Sequence, residues 1–248
     1  MIITALKTKV YAHKQELFSF ITESVPRELM VERVILVITS KIVSIAENRI
    51  IVKQTREGTP EYKDEKKRLI ESESERYFGE TLFGVYLTLT QGILIPSAGI
   101  DESNSQDANY ILFPKNAYES AQSLCLGLKK YYGLEQFGII ITDSHTTPLR
   151  KGVTGIGLAH FGFKATRDLV GQADLYGRTM KMTHVNVLDA LSAAAVYEMG
   201  ETNDACPLAV IADPKAEFTD TQTIKGARDE IQIAPEADLY GSLFLKNL

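Results

Sequence analysis

Short apolar runs bounded by polar or glycine-containing segments recur along the chain and predict buried β-strands. The clearest runs are 34–39 (VILVIT), 138–142 (GIIIT) and 207–212 (PLAVIA). Further β-rich stretches are 50–52, 82–95 and 110–113, and the glycine-rich apolar segment 152–163 follows the second clear run.

Three segments carry helical patterns or helical end signals. Residues 59–77 begin with Thr59 and Pro60, which suit the N-cap and the first helical position. Residues 114–132 repeat apolar side chains at helical spacing before Gly133, and the alanine-rich segment 187–199 precedes Gly200. Helices and strands mixed in this order predict an α+β fold over residues 1–248.

Composition and charge narrow the possible functions. The net charge is −5 and no basic stripe is visible, which argues against binding of nucleic acid by bulk electrostatics. We find no run of about 18 apolar residues and no apolar signal core, so we expect a soluble, cytoplasmic protein without a membrane partner. Cys125 and Cys206 follow no metal-ligand spacing, which suits a reducing compartment.

Three acidic segments follow predicted strands or helices and are candidate metal sites. They are 101–104 (DESN), 143–145 (DSH) and 201–204 (ETND). Carboxylates and neutral oxygens in loops are the ligands that magnesium and manganese prefer. The alternative for each segment is an ordinary polar turn, because Asp and Asn favour turns without any ligand.

A second set of residues could bind phosphate. Residues 40–44 (SKIVS) follow a predicted strand, and their hydroxyls, backbone N–H groups and Lys41 suit a phosphate, although the glycines of a Walker A loop are missing. Interspersed basic residues could offset a polyanion or could be a solvated surface: Arg150, Lys151, Lys164, Arg167, Arg178 and Lys181. No nucleophile elbow or Cys/His pair is present, which disfavours covalent hydrolases.

Several motifs, taken in order, resemble those of the coenzyme F420-0:γ-glutamyl ligase family over nearly the whole chain. Residues 98–104 (AGIDESN) match its A-G-I-D-x-S-N motif and are the most specific piece. The other similar segments are 39–44 (TSKIVS), 140–144 (IITDS) with Pro148 and Arg150, 174–178 (DLYGR) and 193–201 (AAAVYEMGE).

The resemblance implies an enzyme that uses GTP and two divalent cations, manganese or magnesium, with a possible monovalent cation, to join L-glutamate to an acceptor carboxylate. It also implies two intertwined lobes, a homodimer and an acyl phosphate intermediate. The acceptor would be a deazaflavin resembling coenzyme F420-0. Some relatives look like folate-directed ligases, so a pterin acceptor is the main alternative.

The resemblance also implies roles for individual residues. Asp101 and Asp143 would hold one metal, and Ser144 and Glu201 would contact a second. The residues expected to contact the nucleotide are Ser40, Lys41, Asn104, Met199, Gly200, Thr202 and Asn203, with a looser match at residues 7–10. Arg150, Asp101 and Asp143 are the expected catalytic residues.

Four positions depart from the family pattern. Ile45 replaces a lysine, Lys9 replaces a proline, Glu201 replaces a glutamine, and residues 145–147 (HTT) replace F-G-R. Both carboxylates of the first metal are kept, so we expect the ligase chemistry to persist with the acceptor open. A nucleotide-binding protein that has lost catalysis is the alternative from another class.

Overall fold

The structure is a computed structural model that describes residues 1–81, 83–103, 105 and 109–245. Within these ranges, helices mix with one five-stranded sheet and smaller sheets of two or three strands. The α+β fold predicted from the sequence is therefore confirmed. None of the described helices is both long and apolar enough to cross a lipid bilayer.

The bounds of the regular elements are as follows. The strands are β1 (Ile2–Leu6), β2 (Val34–Thr39), β3 (Ile50–Ile51), β4 (Arg76–Glu80), β5 (Tyr86–Thr90), β6 (Ile93–Pro96), β7 (Tyr110–Ile111), β8 (Phe137–Thr146), β9 (Val153–Phe161), β10 (Thr166–Asp168), β11 (His184–Asn186) and β12 (Leu208–Ala212). The helices are α1 (Leu17–Ser24), α2 (Ser40–Ala46), α3 (Pro60–Glu73), α4 (Ala117–Tyr132), α5 (Val187–Met199), α6 (Ile224–Ile231) and α7 (Gly241–Leu245).

The large sheet has the strand order β1-β12-β2-β8-β9. Its two central strands, β2 and β8, are parallel and in register, with Thr39 opposite Thr142. Strand β12 runs antiparallel to β2, and β1 runs antiparallel to β12. The carboxyl ends of β1, β2 and β8 and the start of β12 therefore lie at one edge of the sheet.

Both faces of the large sheet are covered, which explains why its central strands are apolar throughout. Leu36 and Ile38 of β2 point into a core that includes residues of α4, whereas Ile35 and Val37 point into a second core that includes residues of α5. Successive side chains of a strand alternate between its faces, so a strand between two cores needs apolar residues at every position.

A smaller unit forms from the middle of the chain. Strand β3 pairs with β7, and β4, β5 and β6 form a three-stranded antiparallel sheet. A third apolar cluster, which includes Ile70 of α3 and Tyr110 of β7, packs this region. The chain forms this smaller unit between β2 and β8 of the large sheet. The division of the molecule into two intertwined lobes stays a prediction.

Three sequence predictions are wrong in their boundaries. The helix predicted over 59–77 ends at Glu73, because Ser74 takes an extended backbone conformation and β4 pairs with β5. The helix expected from Pro114 begins three residues later, after Asn116. Strand β8 continues to Thr146 through its pairing with β9, so Asp143 lies inside a strand and not in a loop after it.

Candidate functional site

A cleft of about 660 Å³ opens at the edge where these strand ends meet. Backbone hydrogen bonds hold its floor together: the Thr39 N–H donates to the carbonyl of Pro207, and the Thr8 N–H donates to that of Ala205. The walls come from Val153 and from five segments: 8–11, 39–45, 95–103, 142–146 and 196–207. Ligands of mixed α/β proteins usually bind at such carboxyl ends of strands.

Parallel pairing brings Ser40 to Asp143. Thr39 and Thr142 are partners in the β2–β8 register, so the residues that follow them are neighbours. The Ser40 hydroxyl donates to Asp143 Oδ2, and the Ser144 N–H donates to Oδ1 at 2.7 Å. These two donors orient the Asp143 carboxylate within the cleft.

Asp101 reaches the same cleft from the opposite wall. Its Oδ2 lies 2.6 Å from Lys41 Nζ, and its Oδ1 accepts a hydrogen bond from the Ser103 N–H at 2.6 Å. Lys41 Nζ also donates to the Ser103 carbonyl at 3.1 Å. The lysine at the start of α2 therefore holds the acidic loop against the end of β2.

Gly99 is required for the turn that presents Asp101. It has φ +69° and follows two other residues with positive φ, Ser97 and Ala98. A Cβ atom on Gly99 would lie 2.1 Å from the ring of Phe113, so any side chain would displace that ring. Residues 98–101 of the motif thus encode a particular backbone turn as well as a carboxylate.

Glu201 completes the acidic wall, directly after α5. Burial raises its pKa, and the negative charge of Asp101 acts in the same direction, whereas the Ser144 hydroxyl and the charge of Lys41 lower it. Gly200 precedes it with φ +82°, and a Cβ there would lie 2.2 Å from Asp204 Oδ2. The end of α5 therefore folds back tightly on residues 201–204.

Asp143 has the most perturbed carboxyl group in the cleft. Burial raises its pKa to about 6, and the negative charge of Asp101 adds to this effect. The hydrogen bonds from Ser40 and the Ser144 N–H oppose it by stabilising the ionised form. A carboxylate whose charge is disfavoured by burial and by a second carboxylate is typical of a functional site.

The donor chemistry fits divalent metal, although the ligands are not gathered around one point. No three His, Cys, Asp or Glu side chains form a metal-binding group within the described ranges. Carboxylate and hydroxyl oxygens from Asp101, Asp143, Glu201 and Ser144 are nevertheless the hard donors that magnesium and manganese prefer. In this conformation Lys41 occupies the cation position beside Asp101.

The structure brings most of the predicted residues together. Ser40, Lys41, Met199, Gly200, Thr202 and Asn203 line the cleft with Asp101, Asp143, Ser144 and Glu201, as do residues 8–10 of the looser match. Asn104 lies outside the described residues. Arg150 lies on the exposed turn between β8 and β9 and is not among the residues that line the cleft; its catalytic role stays a prediction.

Sequence reasoning missed the cluster that anchors the acidic loop to α3. Glu102 lies 2.5 Å from Lys53 Nζ, also pairs with Lys66, and accepts a hydrogen bond from the Tyr62 hydroxyl at 2.5 Å. Burial raises the pKa of Glu102, but these three partners outweigh it and lower the pKa to about 2. No local pattern marks the cluster, because its partners are 36 to 49 residues away in sequence.

Comparison with known proteins decides the family. The model of the family described as F420-0:Gamma-glutamyl ligase matches residues 5–213. The chain belongs to this family. The match covers every segment that lines the cleft and ends before α6.

Relatives in the F420-0:γ-glutamyl ligase family show moderate identity. A protein of Methanococcus maripaludis strain C7 named "Coenzyme F420:L-glutamate ligase" is 31% identical over 233 residues, 89% of this chain and 90% of the relative. Proteins of the same name from strain S2 and from Methanocaldococcus jannaschii are 35% and 37% identical. Those two alignments span only 57% and 50% of the relatives, so the chain covers little more than half of their length.

Proposed function

We propose that this chain is a γ-glutamyl ligase that uses a nucleoside triphosphate, GTP in the first instance, to join L-glutamate to an acceptor carboxylate. The observation that carries the proposal is the meeting of Asp101, Asp143, Glu201 and Lys41 in one cleft of a chain of this family. The names of the relatives support glutamate as the co-substrate and a coenzyme F420 precursor as the acceptor.

The proposed reaction has two steps. An oxygen of the acceptor carboxylate attacks the γ-phosphorus of GTP, the bond to the β-phosphate bridging oxygen breaks, and GDP leaves. The neutral amine of glutamate then attacks the acyl carbon, the carbon–oxygen bond to the phosphate breaks, and inorganic phosphate departs as the nitrogen loses one proton and keeps the other as the amide N–H. No protein nucleophile is needed, so catalysis rests on positioning and charge.

The residues of the cleft would have different roles in this reaction. Asp101 and Asp143, with Ser144 and Glu201, would hold two divalent cations, which when bound supply positive charge to the phosphates. Lys41 can move its ammonium group from Asp101 to a phosphate, because two of its three present partner atoms are backbone or hydroxyl oxygens. Ser40 fixes the orientation of Asp143. We further propose that the enzyme acts as a homodimer.

Calorimetric titration of GTP with and without manganese tests the site. Asp101→Ala removes one proposed metal ligand, and we expect it to weaken manganese-dependent GTP binding on the order of 100-fold. Asp64→Ala is a matched control, because Asp64 is exposed on α3 and does not line the cleft. GTP affinity that is equally manganese-dependent in Asp101→Ala and wild type would contradict the assignment.

Incorporation of glutamate tests the reaction itself. Wild-type protein is incubated with GTP, manganese, glutamate and either a deazaflavin acceptor of the coenzyme F420-0 type or a pterin acceptor. A product heavier by one glutamate residue identifies the acceptor, and ATP in place of GTP tests the nucleotide. Manganese-dependent GTP binding without a product from either acceptor would instead indicate a nucleotide-binding protein without ligase activity.

A further inference from the structure

A second cavity of about 260 Å³ adjoins the cleft and is not used by the proposed mechanism. It lies between the β5–β6 turn, the β8–β9 hairpin, the start of α5 and the segment after α6. Cavities that enclose whole small molecules measure roughly 300 to 1,000 Å³, so this one suits a part of a larger ligand.

The second cavity and the cleft share wall residues at the end of β8. His145 and Thr146 line both spaces. Residues of a strand rise about 3.3 Å each, so Thr146 lies roughly 10 Å along β8 from Asp143. A molecule with one end in the second cavity can therefore extend its other end to the carboxylates of the cleft.

The walls of the second cavity exclude strongly anionic groups. Its described lining contains one carboxylate, that of Asp189, and no lysine or arginine. A triphosphate, or glutamate with its two carboxylates, would bring several negative charges beside Asp189, whereas the Arg228 guanidinium does not line the cavity and lies over the Tyr118 ring, 5.3 Å from its centroid. An uncharged group is therefore favoured over either co-substrate.

The cavity offers both apolar surface and hydrogen-bonding groups. Leu94, Ile156 and Ile233 supply apolar wall. Tyr118 lines the cavity and is 6% exposed, which places a hydroxyl-bearing ring beside these apolar side chains. Burial raises the pKa of Tyr118 to about 12, so the hydroxyl stays neutral and can donate.

Two further polar side chains line the cavity, and hydrogen bonds to neighbouring residues fix their orientations. His145 Nδ1 lies 3.1 Å from the carbonyl oxygen of Thr154, which can only accept, so Nδ1 donates there and the ring orientation is fixed. Asp189 accepts hydrogen bonds from the Gly157 N–H and from Asn186 Nδ2, which leave further lone pairs on its oxygens. The edge of a fused heterocyclic ring carries nitrogens and oxygens, some of which donate hydrogen bonds while others accept them. Such an edge is complementary to the hydrogen-bonding side chains of this cavity.

We infer that the second cavity binds the uncharged fused heterocyclic ring of the acceptor, while the acceptor's carboxylate passes His145 into the cleft. This inference rests on the proposed ligase function. Residues 231–233, which form part of the wall, lie beyond the segment that the family model matches. The cavity would thus select the acceptor, whereas the cleft carries the reaction common to the family.

Two variants and one matched control test the ring pocket. Tyr118→Phe removes one hydroxyl without changing the ring, and Leu94→Trp fills the cavity. Tyr131→Phe makes the same chemical change as the first variant on the same helix, where Tyr131 is exposed and lines neither space. Circular dichroism and GTP affinity with manganese establish that each variant is folded.

Binding is measured without turnover, from quenching of the intrinsic fluorescence of a deazaflavin acceptor and, separately, of a pterin acceptor. We expect Tyr118→Phe to raise the Kd of the preferred acceptor about 5-fold, the effect of one neutral hydrogen bond. Leu94→Trp should raise it by at least about 10-fold, and Tyr131→Phe should leave it unchanged. The acceptor whose Kd changes in these variants identifies the class of ring that the cavity binds.

A truncated acceptor that keeps the carboxylate but lacks the ring gives a second readout. The ratio of kcat/KM for the whole acceptor to that for the truncated one should fall about 5-fold in Tyr118→Phe. An unchanged Kd for both ring-bearing acceptors in a folded Leu94→Trp protein would overturn the inference. Wild-type protein that forms no amide with either acceptor would instead overturn the proposed function, and the two failures are thus distinguishable.

Discussion

At the scale of single residues, Asp143 shows a conflict between stability and function. Its carboxyl group is held by Ser40 and the Ser144 N–H but is buried beside a second carboxylate. Ionisation at neutral pH therefore costs the folded protein free energy that a bound cation would restore. Such a cost is expected where a binding site has to keep charge in place before its ligand arrives.

Replacing this carboxyl group should stabilise the protein without ligand. The pKa of Asp143 is raised from 3.8 to about 6, so the folded state holds its proton more tightly than the unfolded state does. The stability due to this group is therefore lost as the pH rises from about 4 through about 6. At pH 7.5 we expect Asp143→Asn to raise the free energy of unfolding by on the order of 1 to 3 kcal/mol.

Thermal unfolding at two pH values measures this effect. The difference between Asp143→Asn and wild type should be largest at pH 7.5 and should nearly vanish at about pH 4. The asparagine keeps one acceptor oxygen, and the Ser40 hydroxyl can rotate to accept from its amide. The control Asp64→Asn, at an exposed site, should change stability little at either pH. A destabilised Asp143→Asn protein at pH 7.5 would contradict the assignment.

At the scale of elements, the close approach of α5 to β9 sets the position of the acidic wall. Two glycines of β9 make this approach possible. A Cβ on Gly155 would lie 2.4 Å from the Ser192 carbonyl oxygen, and one on Gly157 would lie 2.4 Å from Leu188 Cγ. Since Glu201 follows α5 directly, the distance between helix and sheet also determines where its carboxylate lies in the cleft.

Adding one methyl group at this contact should move α5. We expect Gly155→Ala to lower the free energy of unfolding by about 1 to 3 kcal/mol through overpacking, and to weaken GTP binding because Glu201 shifts with the helix. Denaturant unfolding and calorimetry measure the two effects. In Gly226→Ala, the new Cβ meets Thr223 Oγ1 at 3.1 Å within α6, so unfolding and GTP binding should change little. Equal effects from both variants would exclude the packing explanation.

At the scale of the whole molecule, the cleft joins parts of the chain that are far apart in sequence. Lys41 and Asp101 come from α2 and from the middle of the chain, and Asp143 and Glu201 come from β8 and the end of α5. A ligand that contacts all of them stabilises the folded chain as a unit, because the unfolded chain has no such site.

Nucleotide and metal should therefore raise the melting temperature together. At a free ligand concentration of 100 times Kd, the expected stabilisation is about 2.7 kcal/mol, or roughly 5 to 11 °C for a chain of this size. Differential scanning calorimetry with GTP, with manganese, and with both measures it. We expect the combined shift to shrink strongly in Asp101→Ala. A full shift with GTP alone would argue against metal-dependent binding.

Much of the fold was predictable because local pattern and tertiary environment agree. The apolar run of β2 was predicted to be a buried strand, and β2 lies between two hydrophobic cores. The ends of α4 and α5 were predicted from Gly133 and Gly200. The errors fall where tertiary pairing overrides local preference. Pairing with β5 makes a strand of 76–80, and pairing with β9 extends β8 past Asp143.

The sequence by itself determined the alternation of buried strands and helices and the presence of carboxylates that could bind a cation. These depend on interactions between residues close in the chain. Only the tertiary structure decided that Ser40 contacts Asp143, that Lys41 pairs with Asp101, and that a second cavity adjoins the cleft. The two pairs join residues 103 and 60 positions apart in sequence. The first forms because the parallel register of β2 and β8 brings two strand ends together, and the second depends on the loop that presents Asp101, which bridges to Ile111.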